Sequence, residues 1–216
     1  MKTITTLGIL CALVGPAVAQ DIEYRFLGSV SVTFQTELEP PYHLWDASIE
    51  VGTPFDLRFR MPLATVDGHT SAQVGDFSPV EARLQVGSYS FSSGAASFSL
   101  RDNLGGMPYT DGFGASFTSS ESYFGAPFGV HLAMQTADLN FLGSDQLQTF
   151  SQKSFAIVDP GSFSEVNFIR VVSDAAQIWL RTDSVSAIAI PEPSVASLAL
   201  GVLAAGFAVL RKRFQR

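Results

Sequence analysis

An all-β body, folded as an antiparallel β-sandwich of jelly-roll type, is predicted by three observations. Apolar and polar residues alternate with a period of two over several segments, the pattern of half-buried strands. Gly, Pro, Asp and Ser recur between those segments as turn signals, while helical periodicity is scarce. The chain carries 18 phenylalanines in 216 residues, and on apolar faces these can fill the space between two sheets. Strands without intervening helices favour antiparallel layers over βαβ units.

The chain opens with Met1-Lys2, an apolar run from Ile4 to Val14 and the small-x-small triplet Ala17-Val18-Ala19. This is the pattern of a secretory signal peptide over residues 1–19, its apolar helix ended by Pro16 and the cut falling between Ala19 and Gln20. It implies passage through the Sec translocon. Cys11 is the only cysteine and lies inside that run, behind Leu10. The position before it is too large for a lipoprotein signal. A body without cysteine takes its stability from its core rather than from disulfides.

Residues 20–189 are long enough for one domain with a sizeable core. Between Gln20 and Ile190 there are eight cations and nineteen acids, a net charge of −11. That balance argues against nucleic acid as a partner, because phosphate binding depends on Lys and Arg. It suits solubility outside the cell, contact with divalent cations, or neutral polysaccharide.

The body's strands follow in order. Ile22, Tyr24, Phe26, Val30, Val32 and Phe34 share one face, with Gly28 placed for a bulge. Trp45 to Val51 alternates again, then Gly52-Thr53-Pro54 signals a turn, and Phe55 to Met61 forms the next strand. Val80 to Val86 is followed by Gly87-Ser88 and by Tyr89 to Phe91. A turn at Ser92-Ser93-Gly94 and a strand Ala96 to Leu100 complete an expected hairpin. Val130 to Met134, Phe155 to Val158, Val166 to Val172, Gln177 to Arg181 and Val185 to Ile190 read as shorter strands. A brief helix is expected over Thr136 to Phe141.

Arg101 to Phe128 reads as a loop-rich region, with Gly-containing turns between Tyr109, Phe113, Phe117, Tyr123 and Phe124. Aromatics exposed there beside Asp and Asn would stack on sugar rings, whereas aromatics pointing inward would be core. Asp102, Asn103 and Asp111 are oxygen donors suited to calcium, although no EF-hand loop accompanies them.

Other chemistry finds little support. His43, His69 and His131 have no ligand spacing and no HExxH, so no metal site is expected. There is no G-x-S-x-G elbow and no phosphate loop. Two carboxylates across a groove would be needed for glycoside hydrolysis. The expectation is a non-enzymatic protein without a cofactor.

The chain closes with Pro191-Glu192-Pro193, the charge-free run Val195 to Leu210, and Arg211-Lys212-Arg213-Phe214-Gln215-Arg216. Sixteen apolar residues are at the short limit for a spanning helix. The cations Arg211, Lys212 and Arg213 act as a stop on the cytoplasmic side. The two prolines keep the preceding tripeptide extended and out of the helix.

Pro-Glu-Pro, an Ala/Gly/Leu-rich helix and a basic end, in that order, resemble the PEP-CTERM sorting signal of Gram-negative bacteria. The likeness covers residues 190–216. It implies recognition of Pro191, Glu192 and Pro193 by an exosortase, a membrane-embedded cysteine transpeptidase or protease. It further implies transient anchoring in the inner membrane, removal of the tail, and delivery to the cell surface or to an extracellular polysaccharide or biofilm matrix. The alternatives are a carbohydrate- or calcium-binding module and a secreted polysaccharide-active enzyme.

Overall fold

The computed structural model describes residues 19–35, 49–104, 110–123, 126–136, 140–154, 168–173 and 176–191. The expected signal helix and the C-terminal helix Val195 to Leu210 lie outside them, and Ala19, Ile190 and Pro191, where the leader and the tail join the body, are strand. No helix among the described residues is long and apolar enough to cross a membrane. The described residues form nine strands: β1 Ala19–Gln35, β2 Pro54–Pro62, β3 Val74–Val86, β4 Tyr89–Leu104, β5 Thr110–Tyr123, β6 Ala126–Thr136, β7 Phe150–Ser154, β8 Phe168–Val172 and β9 Ala176–Pro191.

These strands do not form two layers. Each pairs antiparallel with the next in the order β1-β2-β3-β4-β5-β6-β8-β9, and β9 pairs back onto β1. The predicted sandwich is therefore corrected to a closed eight-stranded barrel. Alternation alone cannot separate the two, since both bury one face of every strand. Closure is decided by the β1–β9 register, which runs from Ala19↔Pro191 to Gln35↔Ala176. β7 and β8 lie end to end along β9, at Ser184–Ala187 and Gln177–Arg181 respectively.

The long β1–β9 ladder must bend to close, and Gly28 marks where it does. The register slips between Leu27 and Gly28, at the position expected for a bulge. A Cβ on Gly28 would stand 1.9 Å from the Arg181 carbonyl oxygen, so only glycine permits this approach.

Two local expectations are also corrected. Ser92-Ser93-Gly94 is not a turn: β4 runs through it, the register shifting between Val80↔Ala96 and Ala82↔Ser93. The hairpin turn is Gly87-Ser88. In the expected strand Trp45 to Val51, the described part ends in a turn at Val51-Gly52. Ile49 is buried but Val51 is 69% exposed, so the alternation does not hold there. Gln177 to Arg181 and Val185 to Ile190 belong to one strand, β9. Phe155 to Val158 lies outside the described residues. Thr136 ends β6 and Phe141 is in a bend, so the described ends of the expected helix are not helical.

Small barrels of this strand number are filled by side chains. Here the filling is aromatic. Tyr24 and Phe59 lie 4.8 and 5.0 Å from Phe98, and Phe26 lies 5.2 Å from Phe113. Edge-on and tilted pairs of this kind add to the stabilisation from burial.

The segment Asn140–Thr149 packs at one end of the barrel, buried through Phe141 and Leu142. The Leu142 N–H donates to the fully buried Asp111 carboxylate at 2.8 Å. The Tyr24 hydroxyl donates to the Gln148 carbonyl at 3.1 Å and accepts from the Gln148 N–H at 3.0 Å. Burial raises the Tyr24 phenol to about 12, against the lowering effect of the Gln148 backbone. Lys153 donates to the Phe141 carbonyl at 2.6 Å and sits over the rings of Phe141 and Phe150.

Candidate functional site

The positions expected to be processed lie side by side. Ala19 pairs with Pro191 and Asp21 with Ile190, so the strands that open and close the barrel meet at the same end. Ala17, Glu192, Pro193, Arg211, Lys212 and Arg213 lie outside the described residues, while Ala19 and Gln20 belong to β1 and Pro191 is the last residue of β9.

The stretch from Arg101 to Phe128 is mostly strand, not loop. It comprises the end of β4, all of β5 and the start of β6. Phe113 and Phe117 are buried at 1% and 6% exposure. Tyr123 lies 5.0 Å from Tyr89 and 5.4 Å from Phe91, and its hydroxyl donates to the Ser90 carbonyl at 2.8 Å. Phe113 and Phe117 therefore belong to the core, and the half-buried Tyr123 packs against it, so the three rings supply no outward platform. Tyr109 and Phe124 lie outside the described residues.

Asp111 is a buried structural acceptor, which removes it from any exposed calcium site. Among the described residues no group of three His, Cys, Asp or Glu side chains could hold a metal ion. His69 lies in the connection between β2 and β3, its N–H donating to Asp67 at 2.8 Å and its Nδ1 accepting from the Ser71 N–H at 3.0 Å. His131 is exposed on β6, across from Ser116 and Arg170. His43 lies outside the described residues.

What sequence reasoning missed is the outer face of β3, β4 and β5. The β3 strand shifts register between Phe77 and Val80, around the cis Ser78–Pro79 peptide. Beside this irregularity lies a groove of about 550 Å³, lined by Val66, Asp76, Ser78, Ser97, Ser99, Arg101, Gly114 and Ser116 among others. The register explains the lining, because Asp76 faces Ser99, Ser99 faces Gly114 and Ser97 faces Ser116. The Ser97 and Ser116 hydroxyls are 3.0 Å apart. Gly114 leaves the floor without a side chain, and an Arg101 guanidinium nitrogen lies 3.5 Å from where its Cβ would be.

A second depression of about 570 Å³ lies further along the same face, lined by Glu81, Arg83, Ser90, Ser92, Ser93, Ser120 and Glu121 among others. Glu121 accepts from the Ser92 N–H at 2.7 Å and from the Ser119 hydroxyl at 3.0 Å, and also binds the Ser92 hydroxyl. Burial alone would raise this carboxyl. The bonds from Ser92 and Ser119 outweigh it and hold the group down at about 2. Glu121 thus stays an anion and is unsuited to act as a proton donor.

Arg83 and Arg101 differ from Arg25, Arg58, Arg60 and Arg181. Arg25 and Arg58 pair with Asp56, Arg60 with Asp21 and Arg181 with Asp183. Arg83 and Arg101 make no ion pair among the described residues. The sequence signal for this face was a period-two run of hydroxyls, Ser97 and Ser99 on one strand and Ser116, Thr118, Ser120 and Ser122 on the next. Set against known proteins, the chain is matched by no family model, no curated sequence and no solved structure.

Proposed function

We propose that the chain is a non-enzymatic exported protein, sorted by an exosortase to the cell surface or to an extracellular polysaccharide matrix. A cleaved leader carries it through the Sec translocon. The apolar segment Val195 to Leu210 then holds it in the inner membrane, with Arg211, Lys212 and Arg213 inside. Cutting near Pro191, Glu192 and Pro193 frees the barrel.

The observation that supports this reading most is the position of the three-part tail. Its Pro-Glu-Pro begins at the final residue of β9, opposite Ala19 at the expected leader cut. Loss of both ends would leave every barrel strand in place. Replacing Pro191, Glu192 and Pro193 with alanine is expected to leave full-length chain in the inner membrane fraction. Intact mass and fractionation read the outcome, and normal release of that variant would contradict the sorting role.

A second reading, a carbohydrate-contacting role for the body, is favoured by the hydroxyl-lined outer face of β3, β4 and β5. It replaces the aromatic-platform version, because Phe113 and Phe117 are core residues and the half-buried Tyr123 packs against that core.

A further inference from the structure

We propose that the outer face of β3–β4–β5 binds an extended strand of uronate-bearing polysaccharide, with Arg101 and Arg83 each taking a sugar carboxylate. The choice of a polymer outside the cell rests on the export reading above. The chemistry of the face is independent of it.

Three properties of the face select this ligand. First, the two grooves repeat one composition: a single arginine without an acid partner, at least one carboxylate, and several serines. A guanidinium presents a planar fork that matches a carboxylate, and serine hydroxyls both donate to and accept from sugar hydroxyls. Asp76 can accept from a further sugar hydroxyl. A phosphorylated or sulfated ligand would call for several cations around each anion, whereas each groove offers one.

Second, the surface is low and open. Serines and Gly114 let a chain lie close to the sheet, and Val66, 83% exposed, supplies an apolar lip for the C–H face of a sugar ring. Third, the sites are in line. Arg83 faces Ser92, nine positions before Arg101 on β4, which is roughly 25–30 Å of strand at about 3.3 Å per residue. That span suits a polymer and not a single sugar, and two weak contacts on one chain gain from their linkage.

The acidic balance of the body does not forbid an anionic ligand. Exposed charges beyond about 8 Å are largely screened at physiological salt; within the grooves Glu121 is already held by Ser92 and Ser119, and Asp76 and Glu81 meet sugar hydroxyls rather than the carboxylates. Asp21 and Asp56, on the β1–β2 side, are already paired with arginines.

The test titrates the purified full-length chain, in non-ionic detergent, with oligogalacturonate and oligomannuronate. Dextran serves as the neutral glycan and dextran sulfate as the non-uronate polyanion. At least one uronate oligomer is expected to bind, more weakly at higher salt, with dextran inactive. Arg101→Gln should weaken binding about tenfold or more, the value of one charge-assisted hydrogen-bonded pair. Ser116→Leu, a change at an exposed position, should obstruct the groove without altering the fold.

The proposal is overturned if neither uronate binds, if Arg101→Gln binds as well as the parent, or if dextran sulfate binds tighter than both uronates. Circular dichroism of both variants separates lost binding from lost fold. Because binding is read on the purified chain, its failure leaves the sorting reading standing. Mislocalisation of the chain in cells would likewise leave the binding result intact.

Discussion

On the outer face of β1 and β2, Arg25 donates to Asp56 at 2.7 Å and Arg58 donates to the same carboxylate at 2.6 Å, while Arg60 reaches Asp21 at 2.7 Å. On the neighbouring face of β3, β4 and β5, Arg83 and Arg101 stand among serines and make no ion pair among the described residues. Both faces are built by the same outward half of a period-two pattern, and both rest on the same aromatic interior. The first uses its charges to tie two strands together. The second leaves its charges available, which is what an external ligand requires.

The core beneath the two faces should dominate stability. Phe98, on β4, touches Tyr24 of β1 and Phe59 of β2, so Phe98→Ala removes filling common to both sides. A loss of about 3–5 kcal/mol is expected, read by chemical denaturation. A loss below about 1 kcal/mol would mean that the faces do not share one core.

Tyr24→Phe keeps the ring and deletes the hydroxyl that satisfies both polar groups of the Gln148 backbone. The expected cost is about 1–3 kcal/mol. Because folding raises the Tyr24 phenol from 10.0 to about 12, its contribution is complete below pH 10 and is lost as pH rises toward 12. The Phe variant should lack that alkaline decline.

The two faces separate at the next level. Asp56→Asn removes the shared anion of Arg25 and Arg58, and about 1 kcal/mol of destabilisation is expected from these half-exposed pairs. Arg101→Gln has no ion pair to lose, so its stability should stay within about 0.5 kcal/mol of the parent. Equal destabilisation by the two changes would erase the distinction drawn between the faces.

The smallest effect concerns acid. Burial would raise Glu121, but its bonds from Ser92 and Ser119 lower it from 4.5 to about 2. Its contribution is therefore present above pH 4.5 and lost as pH falls toward 2. Glu121→Gln should flatten the stability profile in that window only, measured by denaturant titration at several pH values.

Much of the strand content was legible from the sequence. Ile22 to Val30, Phe55 to Met61 and Val80 to Val86 were readable because each has one face inside, and Gly28 marked the bulge. Closure was not legible, because the pairing of β1 with β9 links residues more than 140 positions apart and leaves no local pattern.

Ser92-Ser93-Gly94 and the glycines after Asp111 misled for another reason. Small residues that signal turns also suit the outer face of a strand that bends or is approached closely. A Cβ on Gly112 would stand 2.2 Å from the Met134 carbonyl oxygen of β6, so glycine there reflects strand packing rather than a loop. The serine face was visible as spacing, but serine is common on exposed strands. Only the register placed Ser97 against Ser116 and Asp76 against Ser99.

Barrel closure carries the rest of the account, since it sets both the meeting of Ala19 with Pro191 and the placement of the β3–β5 face. Glu23 pairs with Ile188 across the closing ladder and with Arg60 across β1–β2. In a Cys11→Ala background, Glu23→Cys with Ile188→Cys should form a disulfide under mild oxidation, because facing Cα atoms about 4.5–5.5 Å apart lie within disulfide range. Glu23→Cys with Arg60→Cys is the control for a pairing that an open sheet would share. Cross-linking of both pairs, read by a mass loss and a mobility shift without reductant, is the result expected of a closed barrel. A control that links while the Glu23–Ile188 pair stays reduced would contradict it.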